Sequence, residues 1–562
     1  MDSANFSPPP LSDNVEGPSH PPKDKRNPPV KLLKPYDLAN EVHKMCGRGD
    51  IDGAIRRLQN TPRDAQNTSV WNTMISHCVR VGKYHRSFDV FNDMKRRGFS
   101  PNVATYSTLL KGLTQVSDWS KHPKQLTRAH TLYEYYMKHI ESVKYHEPEN
   151  TTELSTAPLV SYLAILGEIG DRQKIFDVFF AMDSDGQFVP DKFLFCAMFD
   201  AIARCQEVAP TSSDASSLSN PPKSDAKYVW LQVEKFAQRL PNFELDSHVI
   251  AAGIRALTRG RSSDQTLALE ITTKYLGLAM LGERKPLRLS RFLTPWSLDA
   301  ALTLCNTMQQ YPLCVYFMRQ VIEGLDLEKR GMRIIDRAHI QKLLRAHAAL
   351  ARRGSRNESL PALEALEWSL ENDTIYDIPR LRPNHQTYHL LFMTCWRSAD
   401  WVRATRAFEL MTGIQATSFL ESNEGQQPPT TSTRPAKKNI PLDLATMSFI
   451  LRTALATKEV VHYRQAMWLA DYVNLGAMLE KKTDIFYRTR VAQSLLPIIA
   501  RLEGEVPAET FRGWKQLRTQ AEKALRDNGE TSVGDRRSLG SSWSFEEADD
   551  DAKTTRRSGR DT

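Results

Sequence analysis

Chemistry in this sequence would have to be built from seven cysteines, fourteen histidines and a carboxylate run, EEADDDA, at 546–552. The cysteines, Cys46, Cys78, Cys196, Cys205, Cys305, Cys314 and Cys395, are odd in number and dispersed, with no CxxC pair. Neither a disulfide framework nor a zinc site is indicated, and buried thiols in a reducing compartment are expected. There is no HExxH, no GxSxG, no glycine-rich phosphate loop and no metal-spaced Cys/His set. The acidic run reads as solvated tail. The expectation is a non-enzyme with no cofactor and no metal.

What remains is the chemistry of hydrogen bonding. Asn72 directly follows Trp71, a large apolar residue that opens a helical stripe. One step along a helix turns about 100°, so this polar side chain leaves the packed stripe beside it. Three others, Asn102, Asp191 and Asn384, each follow a proline and precede a helix. Their side chains suit helix capping; asparagine can also donate to and accept from an outside partner.

The elements that carry these residues repeat. The offsets i, i+3, i+4, i+7 and i+8 run through Trp71, Met74, Ile75, Cys78 and Val79, and they recur from Tyr106, Phe195, Tyr388 and Met447. Looser copies begin at Leu159 and Ile340. One amphipathic helix has roughly this spacing anyway. Seven copies, most opening on an aromatic and each with a second helix behind, describe helix pairs that complete their core only by stacking. At 562 residues the chain is too long for one compact core. No alternating run predicts a strand.

Lys and Arg exceed Asp and Glu by 75 to 66, a net charge of +9 and a pI near 9.0. That balance permits phosphate neutralisation without requiring it. No stretch nears the roughly 20 apolar residues of a membrane span, so none is expected. Segments 1–34, 207–227, 416–440 and 528–562 are too polar, or too rich in Pro and Ser, to bury a core, and disorder is expected there. The opening MDSANFSPPPLSDNVEG is neither a secretory signal nor an Arg-rich presequence. The basic stretch after it (Lys23, Lys25, Arg26, Lys31, Lys34) reads as a solvated linker or a cryptic targeting element.

Residues 68–102, TSVWNTMISHCVRVGKYHRSFDVFNDMKRRGFSPN, resemble a pentatricopeptide repeat over its full length. The landmarks are Trp71-Asn72, Gly82, Phe91, Met94, Gly98 and Pro101-Asn102. VATYSTLLKGL opens a second unit and 382–411 gives a third, with Ala404, Phe408 and Met411 in register. An insertion around Asp118–Pro123 stretches the second unit. Helix pairs near 192–240, 245–280, 295–325 and 336–372 complete about ten units over 35–477, with closing helices at 484–527. The resemblance, to mitochondrial proteins built of the plain P-type repeat, implies an all-α, right-handed superhelical solenoid of stacked helix-turn-helix repeats.

It also implies single-stranded RNA in a concave groove, one base per unit, read by the unit's fifth and last residues. Carried over, the fifth positions are Asn72, Ser107, Cys196, His389 and Ser448, and the last positions are Asn102, Asp191 and Asn384. Asn72 with Asn102 is the complete pair, which in the family favours a pyrimidine. Cys196 and Val160 depart from the polar pattern. Arg80, Lys83, Arg86, Lys95, Arg96, Arg97 and Lys111 are candidates for phosphate contact or for stabilising helix ends. The partner implied is mitochondrial mRNA or rRNA, with association to the mitochondrial ribosome. The rival expectation is a helical-repeat scaffold that binds protein in the same concave surface.

Overall fold

A computed structural model describes residues 34–146, 149, 151–208, 224–241, 243–283, 290–328, 334–415, 439–480, 484–506 and 508–527. The segments expected to be disordered fall almost wholly outside these residues. The exceptions are residue 34, at the start of the first helix, and the edges of the two inserts: 207–208 close one helix, 224–227 begin another, and 439–440 lead into a third. Among the described residues the secondary structure is helical and no β-strand forms. The chain divides into two compact units, residues 1–165 with 185–188, and residues 166–184 with 189–562.

Unit 1 is made of hairpins: α1 (Pro35–Gly47) with α2 (Ile51–Asn60), α3 (Thr68–Arg80) with α4 (Tyr84–Arg96), and α5 (Val103–Leu113) with α6 (Pro123–His146). The first part of α7 (Ala157–Ile169) belongs to it as well. Asp50, Asn67 and Asn102 start α2, α3 and α5, each accepting a backbone N–H of the first turn. Gly82 and Gly98 follow α3 and α4 at φ of 74° and 76°, a left-handed conformation that costs glycine nothing. Trp71, Met74, Ile75 and Cys78 are buried on α3, and Phe91 and Met94 on α4. First helices pack on first helices, α1 on α3 and α3 on α5. The insertion after α5 is a 3-10 turn at Trp119–Lys121, and α6 then runs 24 residues with Ala129 and Leu132 buried.

Unit 2 continues the pattern with α8 (Arg172–Phe180), α9 (Lys192–Val208), α10 (Asp225–Arg239), α11 (Ser247–Thr258), α12 (Ser262–Leu276), α13 (Pro295–Thr307), α14 (Tyr311–Glu328), α15 (Arg337–Arg352), α16 (Ser359–Tyr376), α17 (His385–Ser398) and α18 (Trp401–Thr412). Then come α19 (Leu444–Thr457), α20 (Val460–Tyr472), α21 (Leu475–Glu480), α22 (Ile485–Leu502) and α23 (Ala508–Arg526). The odd-numbered helices α9 to α19 pack each against the next, and α22 covers α19 before pairing with α23. The fold is therefore an all-α solenoid of stacked helical hairpins. Trp514 pins α23: it is fully buried and its indole N–H donates to Asp471 Oδ2 at 2.6 Å. No helix among the described residues is long and apolar enough to cross a membrane.

The turn between α15 and α16 carries a pH-sensitive clamp. Glu358 takes a hydrogen bond from Ser355 Oγ at 2.6 Å and faces the buried His347 Nδ1 at 2.6 Å. Burial alone would raise the Glu358 carboxyl, but these two partners outweigh it and hold it below its ordinary range. A carboxylate lowered in the folded state contributes stability above its unfolded value and loses it as pH falls through the folded one. Glu358→Gln should therefore flatten the loss of stability below about pH 5 relative to wild type, read by urea unfolding across pH.

Candidate functional site

Asn72 is half-buried on α3, one residue past the enclosed Trp71. Its Nδ2 donates to Asn102 Oδ1 at 3.1 Å, so the fifth and last residues of this unit lie side by side. Asn102 is also a helix cap: its Oδ1 accepts the Thr105 N–H at 3.2 Å, and its own N–H donates to Thr105 Oγ1 at 3.2 Å. Thr105 Oγ1 lies 2.7 Å from Asn72 Oδ1 and 3.0 Å from Asn102 Oδ1, and its single proton can serve one of them at a time. Capping and side-chain pairing thus occur together at Asn102. One N–H of Asn72 and both of the Asn102 amide remain for an outside partner.

The same three-residue cluster forms twice more. Gln341, fifth after the cap of α15, donates through Nε2 to Asn384 Oδ1 at 2.9 Å and Thr387 Oγ1 at 3.1 Å. Asn384 caps α17 through the Thr387 N–H at 3.1 Å. His389, fifth after that cap, sets Nε2 3.2 Å from Asp443 Oδ1 and 3.2 Å from Thr446 Oγ1. Asp443 in turn caps α19 through the Thr446 N–H at 2.8 Å. The fifth residue lies 30, 43 and 54 positions before its partner cap in the three cases, yet the local geometry recurs. Stacking of one first helix on the next brings the fifth side chain of one to the capped start of the other.

Elsewhere the pattern is poorer. Ser107 is half-buried and Asp191 caps α9 through the Leu194 N–H at 2.8 Å. Val160 is apolar and half-buried. The Cys196 thiol is pushed up to about 12 by burial, then by Asp246 and Asp200. Ala251, fifth after the Asp246 cap of α11, is fully buried, and Asp299, fifth after the Thr294 cap of α13, pairs with Lys342. Ser448 is fully buried and its Oγ makes no hydrogen bond among the described residues. The expected open groove position at Ser448 is therefore corrected: the side chain is enclosed within the stack.

Most of the basic candidates are already engaged. Lys83 and Arg86 reach Asp52 at 3.7 and 3.6 Å, and Arg96 reaches Asp93 at 3.4 Å. Lys95 lies over Phe91 and Tyr135, while Arg97 lies over Trp71 and donates to the Gln59 carbonyl. Arg80 and Lys111 are exposed and form no ion pair among the described residues. Gln341, Thr105, Thr387 and Asp443 were not singled out from sequence. The available signals were the residue after Ile340, and a cap followed three residues later by threonine.

A profile described as the PPR repeat family matches residues 66–115, which hold α3, α4 and α5. A chloroplastic pentatricopeptide repeat-containing protein of Arabidopsis thaliana is 32% identical over 77 residues, 13% of this chain and 12% of that protein. Pentatricopeptide repeat-containing protein 2, mitochondrial, of Schizosaccharomyces pombe is 28% identical over 86 residues, 15% of this chain and 20% of that protein. Residues 66–115 therefore carry a pentatricopeptide repeat. The chain's match spans no more than 20% of the length of either of those relatives. Among solved structures, the pentatricopeptide repeat protein PPR10 in complex with an 18-nt psaJ RNA element aligns over 88% of this chain and 72% of its own, at 11% identity and a TM-score of 0.27.

Proposed function

We propose that this chain is a pentatricopeptide repeat protein that holds single-stranded RNA and reads bases with the fifth and last residues of its well-formed units, without chemistry of its own. The observation that carries the reading is the threefold recurrence of a polar fifth residue hydrogen-bonded to the next unit's cap: Asn72 with Asn102, Gln341 with Asn384, His389 with Asp443. Two hydrogen-bonding side chains held at about 3 Å from each other can address one base edge together. Ser107 and Asp191 are weaker members of the same set. Arg80 and Lys111 supply charge to phosphates. The setting is proposed to be a mitochondrion, in RNA processing, stability or translation, with mRNA or ribosomal RNA as target and the mitochondrial ribosome as partner. A mitochondrial relative and a chloroplastic one support an organelle without distinguishing the two.

The scaffold reading rests on a different observation. The middle hairpins place Val160, Cys196, Ala251 and Asp299 where a base reader needs a hydrogen-bonding, non-acidic group. Those units would suit a protein partner. The two readings separate on binding to a pool of short single-stranded RNAs at rising salt. RNA binding predicts retention at 50 mM salt and a loss of about tenfold or more by 200 mM. No retention at low salt would transfer the function to the scaffold.

A further inference from the structure

We propose that His385, His389 and Asp443 form a binding site for one divalent transition-metal ion of the zinc class, joining α17 to α19. His385 and His389 stand four residues apart, on one face of α17. Asp443 caps the start of α19, which packs on α17. One ligand atom from each of the three lies within 4.8 Å of the others. His385 Nδ1 is 3.3 Å from Asp443 Oδ2, and His389 Nε2 is 3.2 Å from Asp443 Oδ1. Ligand atoms about 2.0–2.2 Å from a tetrahedral ion stand roughly 3.3 Å apart; the His385–Asp443 contact has that spacing, and all three ligand atoms lie within 4.8 Å of one another.

Two features aim the cluster at an ion. His385 Nδ1 is buried and makes no hydrogen bond, although it points toward Asp443 Oδ2. The carboxylate is fixed by its other oxygen: Oδ1 accepts the Thr446 N–H at 2.8 Å and the Thr446 hydroxyl at 2.6 Å. That leaves Oδ2 as the free ligand, held from behind in the way that outer hydrogen bonds orient metal-binding carboxylates. Two imidazoles and one carboxylate select zinc-like ions over magnesium and calcium, which need a shell of oxygens. Three protein ligands also leave a fourth position for water or an outside group. Reading by sequence missed the site because Asp443 lies 54 residues beyond His389, although the His-x-x-x-His spacing was visible.

The inference does not depend on RNA binding, and it is tested without RNA. The full chain is stripped with a chelator and titrated with Zn2+ by calorimetry and with Co2+ by visible absorption. One equivalent is expected to bind, with tetrahedral cobalt bands, and Zn2+ is expected to raise the melting temperature. His385→Gln leaves the proposed base-reading residues intact, and Asp443→Asn keeps a capping side chain while removing the carboxylate. Each should weaken Zn2+ affinity at least tenfold and abolish the thermal shift, with helical circular dichroism unchanged. The proposal is overturned if wild type binds Zn2+ no more tightly than Mg2+. It is equally overturned if both variants bind as wild type does, which would place the ion elsewhere.

Discussion

Replacing Trp230 with alanine should lower the unfolding free energy of unit 2 by about 3–5 kcal/mol. Trp230 on α10 is fully buried and reaches three neighbouring helices. Its ring centroid lies 6.3 Å from Phe199 of α9 and 5.8 Å from Tyr275 of α12. On the side of α11 it rests against Gly253, where an added Cβ would come within 2.8 Å of the indole. The indole N–H has no hydrogen-bond partner among the described residues, so the side chain acts through volume rather than polarity. Trp230→Phe should accordingly cost much less than Trp230→Ala. Gly253→Ala should cost about 1–3 kcal/mol in wild type, because a rigid aromatic cannot yield. In the Trp230→Ala background the same glycine change should be nearly neutral. Urea unfolding of the four proteins measures that coupling, and additive losses would show that the two residues do not meet.

Asn72→Ala should weaken binding of a cognate RNA by about 1–3 kcal/mol, roughly 5- to 150-fold, at constant salt. The substitution removes one of the two side chains proposed to meet the base. It leaves the Asn102–Thr105 cap in place, so the fold should lose no more than about 1 kcal/mol. Asn102→Ala is the informative contrast, since it removes the base contact and the cap together and should cost a further ~1 kcal/mol of stability. Lys111→Ala should instead weaken all RNAs alike and lower the salt slope by about one. Equal affinity of wild type and Asn72→Ala for the cognate RNA would reject base reading at this unit.

The first complete hairpin was legible because its register is undisturbed. Trp71, Gly82, Phe91, Gly98 and Pro101 stand at their ordinary spacings, and Asn72 and Asn102 could be assigned from them. The middle of the chain was not legible in the same way. There α11 is enclosed on nearly every side, so Val249 to Ile254 show no amphipathic contrast to set a register by. Gln341 was missed because its unit is longer than the standard one and its partner Asn384 lies 43 residues on. Ser448 was read as open because a local stripe records which helix face packs inward; it does not record what later parts of the chain enclose on the other.

The side chains proposed to read bases already satisfy one another when no RNA is bound. A site whose polar groups would be stranded by the wrong ligand rejects that ligand strongly, because buried groups left unpaired are costly. Asn72, Gln341 and their caps have somewhere to return. A mismatched base would forfeit its own contacts while the protein recovers internal ones, so each unit should discriminate gently. Fidelity in such a chain would accumulate along the length of the bound strand, with isolated errors forgiven and clustered ones refused.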